Sequence, residues 1–184
     1  MKLKLIALCF FAAPAFAQCP PVSDITGQIE QLAAEARTAE NEMAGRAVSD
    51  QMWQLWLIAP DEPAQEMLDA GMRARTSYDY HAAIEAFSRL IDYCPAYAEG
   101  YNQRGFIQFL RQDYEAALVD LDAALARSSN HVGAQSGRAL TLMNLGRIDE
   151  ARVQLREALE NNPWLSERAL LNEGAPLAPV GQDI

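Results

Sequence analysis

Residues 98–131 read AEGYNQRGFIQFLRQDYEAALVDLDAALARSSNH, and the fold follows from the way this stretch recurs on both sides of itself. Setting Gly71, Gly105 and Ala139 in register gives a period of 34 residues and three blocks, 64–97, 98–131 and 132–165. Ala83, Ala117 and Ala151 then align, as do Phe87, Leu121 and Leu155, then Leu90, Ala124 and Ala158, and finally Pro95, Ser129 and Pro163. Each block has a turn at its middle, Asp79-Tyr80, Asp113-Tyr114 and Gly146-Arg147. The apolar spacing on either side is helical, as in Ile84, Phe87, Leu90 and Ile91, or Leu118, Leu121 and Leu125. A small residue where two helices cross lets them approach, an alanine opposite completes the contact, and bulky residues fill the flanks. Pro95 and Pro163 end the second helix of their blocks. One such hairpin cannot bury its apolar face alone, so the blocks must stack.

These residues resemble the tetratricopeptide repeat, whose signature asks for small, Ala, bulky, small and Pro at these points. The resemblance implies an all-α fold, a short solenoid of antiparallel helix pairs. Residues 18–63 hold a tail and a degenerate fourth hairpin, in which Leu32, Ala36, Ala39, Val48, Met52, Leu55 and Pro60 take signature positions. Val48, Met52, Leu55, Trp56 and Ala59 give its second helix a wide apolar face, with Trp53 and Leu57 on the shoulder. This tryptophan-rich helix is expected to cap the first full repeat, a partner or dimer contact being the rival reading. Residues 166–184 are expected to form a short capping helix near Ser166 to Asn172 and then an extended, flexible tail containing Gly174, Pro176, Pro179 and Gly181.

Residues 1–17, MKLKLIALCFFAAPAFA, carry Lys2 and Lys4, an apolar run and Ala15-Phe16-Ala17, the pattern of a secretory signal cleaved after Ala17. The expected location is periplasmic or secreted, with no membrane insertion after cleavage. Cleavage removes both lysines and leaves 13 arginines against 25 acidic residues, a formal charge of −12. Nucleic acids and anionic membranes need cationic patches, so neither is an expected partner. Without lysine there is no P-loop, Schiff-base lysine or Ser-Lys dyad.

Other chemistry is equally unsupported. His81 and His131 lie far apart without metal-ligand spacing, and Ser136-Gly137 lacks the upstream glycine of a nucleophile elbow. The chain is expected to be no enzyme and to use no cofactor or metal. Asp120 and Asp122 are read as surface groups or as salt-bridge partners of Arg104 and Arg138, which share a repeat position. Cys19 and Cys94 survive cleavage, an even count in an oxidising compartment. Cys94 ends the second helix of its block, on the edge where Cys19 precedes a first helix, so one disulfide is feasible. Two unpaired thiols are the alternative.

The resemblance also implies where a partner would bind: a concave groove lined by repeat positions 2, 5, 9, 12 and 13. In this chain these are Gln65, Leu68, Met72, Arg75 and Thr76; then Glu99, Asn102, Phe106, Phe109 and Leu110; then Gly133, Ser136, Leu140, Met143 and Asn144. The family's carboxylate clamp lacks its lysines here, and Met72 stands where its asparagine belongs. Met72, Phe106, Phe109, Leu110, Leu140 and Met143 would form an exposed apolar patch, which points to a protein or peptide partner. The expected function is an exported interaction module that binds a peptide segment or helix of an envelope protein. The alternative is a self-assembling homo-oligomer whose groove is covered by Leu170, Leu171, Leu177 and Val180 of its own tail.

Overall fold

The computed structural model describes residues 18–179, so the signal segment and Val180 lie outside the described residues. The described part is helical: α1 (Thr26–Thr38), α2 (Glu42–Trp56), α3 (Glu62–Thr76), α4 (Tyr80–Tyr93), α5 (Ala98–Leu110), α6 (Tyr114–Arg127), α7 (Val132–Asn144), α8 (Ile148–Asn161) and a short 3₁₀ helix, Ser166–Leu171. No described helix is long and apolar enough to cross a membrane.

Local chemistry sets the helix starts. Asn41, Asp61, Asp79, Asp113 and His131 each accept, through the side chain, the N–H three residues on, so one orphan donor of each first turn is satisfied. The mid-block turns are equally regular. Tyr78, Gln112 and Gly146 adopt φ of 60°, 64° and 75°, and the next N–H returns to a carbonyl five residues back: Asp79 to Ala74, Asp113 to Gln108 and Arg147 to Leu142. This C-terminal motif turns each first helix into its second. Only Gly146 meets the left-handed φ without steric cost.

Helices α3/α4, α5/α6 and α7/α8 form the three hairpins, and they stack in chain order. At the α3/α4 crossing the Phe87 ring lies directly against Gly71, leaving no room for a side chain there. Gly105 faces Leu121 with a looser fit, an added Cβ coming 3.1 Å from the leucine, and Ala139 packs with Leu155. Arg104 makes a two-pronged ion pair with Asp120, both bonds 2.7 Å, and Arg138 reaches Asp122 at 2.6 Å, tying α5 to α6 and α7 to α6.

The N-terminal hairpin departs from expectation, as does the tail, whose short helix forms near Ser166 as expected but whose Leu177 is buried. The α1–α2 hairpin does not stack as a cap on α3/α4; α1 packs against α8 at the opposite end of the array. Ile29, Leu32, Ala33, Ala36, Met52 and Trp56 form one buried cluster with Val132 at the start of α7. The turn between α1 and α2 is clasped by the chain after α8. The Trp164 indole N–H donates to the Ala36 carbonyl at 2.8 Å, and its ring lies against Gly45. Arg37 donates to the Glu160 carbonyl, Asn162 to the Ser49 hydroxyl, and Arg168 to Glu42. At the other end of the hairpin Cys19 meets Cys94 with Cα atoms 5.2 Å apart and sulfurs in bonding contact, and the Tyr97 hydroxyl donates to the Trp56 carbonyl at 2.5 Å. The hairpin therefore spans the array, because Trp164 and Val132 offer its apolar face a partner that the sequence-adjacent repeat does not.

The described C-terminal segment seals the last hairpin, and Leu170, Leu171 and Leu177 pack there rather than over the groove. Leu177 is wholly buried with Ala139, Leu142, Ala151 and Leu155, and Leu170 and Leu171 pack beside it. The Arg152 Nε–H donates to the Leu177 and Ala178 carbonyls, and the Leu177 N–H to the Leu170 carbonyl.

Candidate functional site

The expected groove residues divide into two rows with different fates. At repeat positions 2 and 5 the side chains are withdrawn from solvent, except for Gln65, which is only partly buried. Leu68 is in the core of the first hairpin, Glu99, Asn102 and Ser136 are buried, and the Trp53 ring lies on Gly133. At positions 9, 12 and 13 they stay accessible. Thr76, Phe106, Leu110 and Asn144 are exposed, while Met72, Arg75, Phe109, Leu140 and Met143 are partly buried. The α1–α2 hairpin overlies the part of the first row contributed by α5 and α7, so the usable surface is narrower than the sequence implies.

Beneath the hairpin lies a buried polar network. The Glu99 carboxylate, 1% exposed, accepts from the Asn102 amide at 3.1 Å, the Gln103 amide at 2.5 Å and the His131 ring at 2.7 Å. His131 Nδ1 accepts the Ala134 N–H, so the ring proton sits on Nε2 and points at Glu99. The imidazole, itself fully buried, stacks on Trp56 with centroids 4.1 Å apart and planes 12° from parallel. Trp53 meets the same imidazole edge-on at 5.8 Å. Burial drives the Tyr97 hydroxyl well above the usual phenol range, and the charges of Glu99 and Asp69 add to it, so it remains a donor to Trp56.

On its open side the network ends at Arg75, whose Nη1 donates to the Gln103 carbonyl oxygen at 2.7 Å. Burial lowers the guanidinium pKa and Glu99 partly offsets this, while the Phe106 ring lies 5.6 Å from the guanidinium carbon. Arg75, Phe106, Phe109, Leu140, Trp53 and Glu167 are among the residues lining a cavity of about 210 Å³ between the hairpin and the exposed row. Phe109 also packs into the α6 core beside Tyr101 and Leu125 and lies 5.5 Å from Tyr114, so it is structural as much as surface.

Trp53, Gln103, His131 and Glu167 were not among the groove residues read from the sequence. For Trp53 the only signal was its place on the shoulder of an aromatic helix, together with the absence of a side chain at Gly133. For Glu99 and His131 the sequence gives two polar residues at helix starts, and only the fold brings them together. Among the described residues, no cluster of three or more His, Cys, Asp or Glu could hold a metal ion.

Known proteins place this arrangement. Residues 108–166 match the family described as tetratricopeptide repeat. Tetratricopeptide repeat protein 36 of Bos taurus is 30% identical over 155 residues, covering 82% of this chain and 76% of that protein. A homolog of the same protein from Nematostella vectensis is 34% identical over 76 residues, 41% of each chain, so the match spans under half of that relative's length. In fold, the chain is similar to the first tetratricopeptide domain of Spaghetti (RPAP3), solved bound to the HSP90 peptide SRMEEVD. The TM-score is 0.56 at 22% identity, over 58% of this chain and 84% of that one. With its signature positions filled, its three hairpins stacked and more than two thirds of the bovine protein covered, the chain belongs to the tetratricopeptide repeat family.

Proposed function

We propose that this chain is a peptide-binding interaction module whose working face is the outer row of the groove: Met72, Arg75, Phe106, Leu110, Leu140 and Met143. The observation that carries this reading is the exposure of Phe106 and Leu110, 39% and 38%, beside a half-buried arginine and an apolar cavity. Apolar side chains grouped around one cation favour a partner segment with bulky apolar residues. The RPAP3 domain bound to an HSP90 peptide supports a peptide as the partner class. The ligand here differs in its anchoring, because residues 18–184 contain no lysine to build a carboxylate clamp. The role is binding rather than catalysis, in keeping with the family's use as a scaffold.

The setting belongs to the same proposal. A signal removed after Ala17 would deliver the protein to a periplasm or the exterior, where Cys19 and Cys94 form a disulfide and the partner is an envelope protein. Closing a loop over a sequence separation of 75 would stabilise the fold, by about 4 kcal/mol on the chain-entropy account. Thiol titration of the denatured, unreduced mature protein should then find no free thiol; two would remove the bridge.

Capture from an envelope extract tests the binding face. Phe106→Ser with Leu110→Ser is the appropriate pair, since both side chains are exposed and helicity should survive, whereas Phe109 contributes to the core. The expected result is a partner retained by the parent protein and lost with the double variant. Capture unchanged by the substitutions would overturn the groove reading, and recovery of the bait's own copies alone would replace it with self-assembly.

A further inference from the structure

The inner edge of the groove, closed by the α1–α2 hairpin, carries an inference separate from the peptide face. We propose that this edge is a second, helix-binding seat, occupied in cis by α2, and that in trans it accepts an amphipathic helix presenting two bulky aromatics three residues apart. The resident helix defines that chemistry. Trp53 rests on Gly133, where an added Cβ would come 2.5 Å from the indole, and Trp56 stacks on His131. The seat is thus a flat imidazole next to a bare patch of helix backbone, matched to two aromatic rings on successive turns.

The hairpin is hung so that it can leave. Its hinge is a single end of the array: Cys19 against Cys94, and Leu57 and Ala59 packed with Tyr97 and Leu68. Between the two ends it is held by the seat itself, where Met52 and Trp56 are buried with Val132 and both indoles meet His131, and at the opposite end by a clasp, where Trp164 fits against Gly45 and bonds to Ala36, helped by Asn162 and two arginine contacts. Opening the clasp lets the hairpin swing on a hinge that stays tied. The seated state also leaves the Trp56 indole N–H buried without an acceptor, a standing cost of the cis arrangement.

The test uses the full mature chain and a fluorescein-labelled peptide of residues 41–58, with a second peptide in which both tryptophans are alanine as control. Gly45→Val drives a branched side chain into the Trp164 ring and should open the clasp. Hydrogen exchange should show α1 and α2 amides exchanging at least about tenfold faster with α3–α8 unchanged. Trp164→Ala removes the clasp by subtraction and serves as the second variant. The labelled peptide should bind the opened protein saturably and the parent at least about tenfold more weakly. Adding Gly133→Val to the opened protein, or using the control peptide, should abolish binding. Equal binding to parent and opened protein, or none to the opened protein, overturns the proposal. So does a hairpin whose exchange quickens in neither variant without unfolding of α3–α8, because it is then a fixed part of the core. Trp53 and Gly133 also line the cavity beside the outer face, so the two readings are separated by the Phe106→Ser, Leu110→Ser protein, which should lose the captured partner yet, once opened by Trp164→Ala, still bind the labelled peptide.

Discussion

Replacing His131 by alanine is expected to lower the unfolding free energy by about 3 kcal/mol or more, the scale for leaving a buried charged group short of a hydrogen-bond donor. For a chain of this size that lowers Tm by roughly 10 °C. Three losses coincide at this residue: the donor to Glu99, the side-chain cap of α7 and the stack on Trp56. The first should dominate, because Glu99 stays 1% exposed and keeps only Asn102 and Gln103 as donors. His131→Phe separates the contributions, since it preserves an aromatic face for Trp56 while supplying neither donor nor cap. It should be nearly as destabilising as alanine. A double-mutant cycle with Glu99→Ala should show the two positions strongly coupled, the second substitution costing little once the first is made. Urea unfolding of the four proteins decides the matter. A loss below about 1 kcal/mol for His131→Ala would mean that the carboxylate gains no net stability from the imidazole.

Phe87→Ala should be comparably severe, at about 3–5 kcal/mol. The ring is fully buried in the cluster of Leu68, Ala83, Leu90, Cys94, Tyr97 and Ile107, where α3, α4 and α5 meet, and it fills the space that Gly71 leaves. The opposite error, Gly71→Val, pushes two methyl groups into that ring and should cost about 1–3 kcal/mol or more by overpacking. The informative measurement is the combination. Valine at 71 partly fills the hole left by alanine at 87, so the double variant should be clearly more stable than the sum of the single losses requires. Strict additivity would mean that the two side chains do not share the space the fold assigns them.

The repeat was legible because its determinants are local. Small residues at Gly71, Gly105 and Ala139, the alanines opposite and the capping aspartates act within one hairpin, and the period of 34 repeats them. The outer row of the groove was legible for the same reason, as Phe106, Leu110 and Leu140 are positioned by their own helices. The inner row was not. Leu68 and Ser136 look equivalent to outer residues by repeat position, yet their exposure depends on neighbouring elements. The tail misled in a similar way: Leu177 is an apolar residue in a Gly- and Pro-containing stretch, and its seat beneath α7 and α8 is visible only once both helices are in place.

By itself, then, the sequence determined that the chain folds as stacked helical hairpins, where each helix turns and which side chains form the outer row of the groove, because these depend on spacing along one or two adjacent helices. The tertiary structure decided where the α1–α2 hairpin goes, which half of the groove it closes, and that Glu99, His131 and Trp56 form one buried assembly. The physical reason is that an amphipathic hairpin buries its apolar face against whichever surface offers the best complement. Here Trp164 supplies it from more than 100 residues along the chain and Val132 from 76 or more, separations that no periodicity encodes.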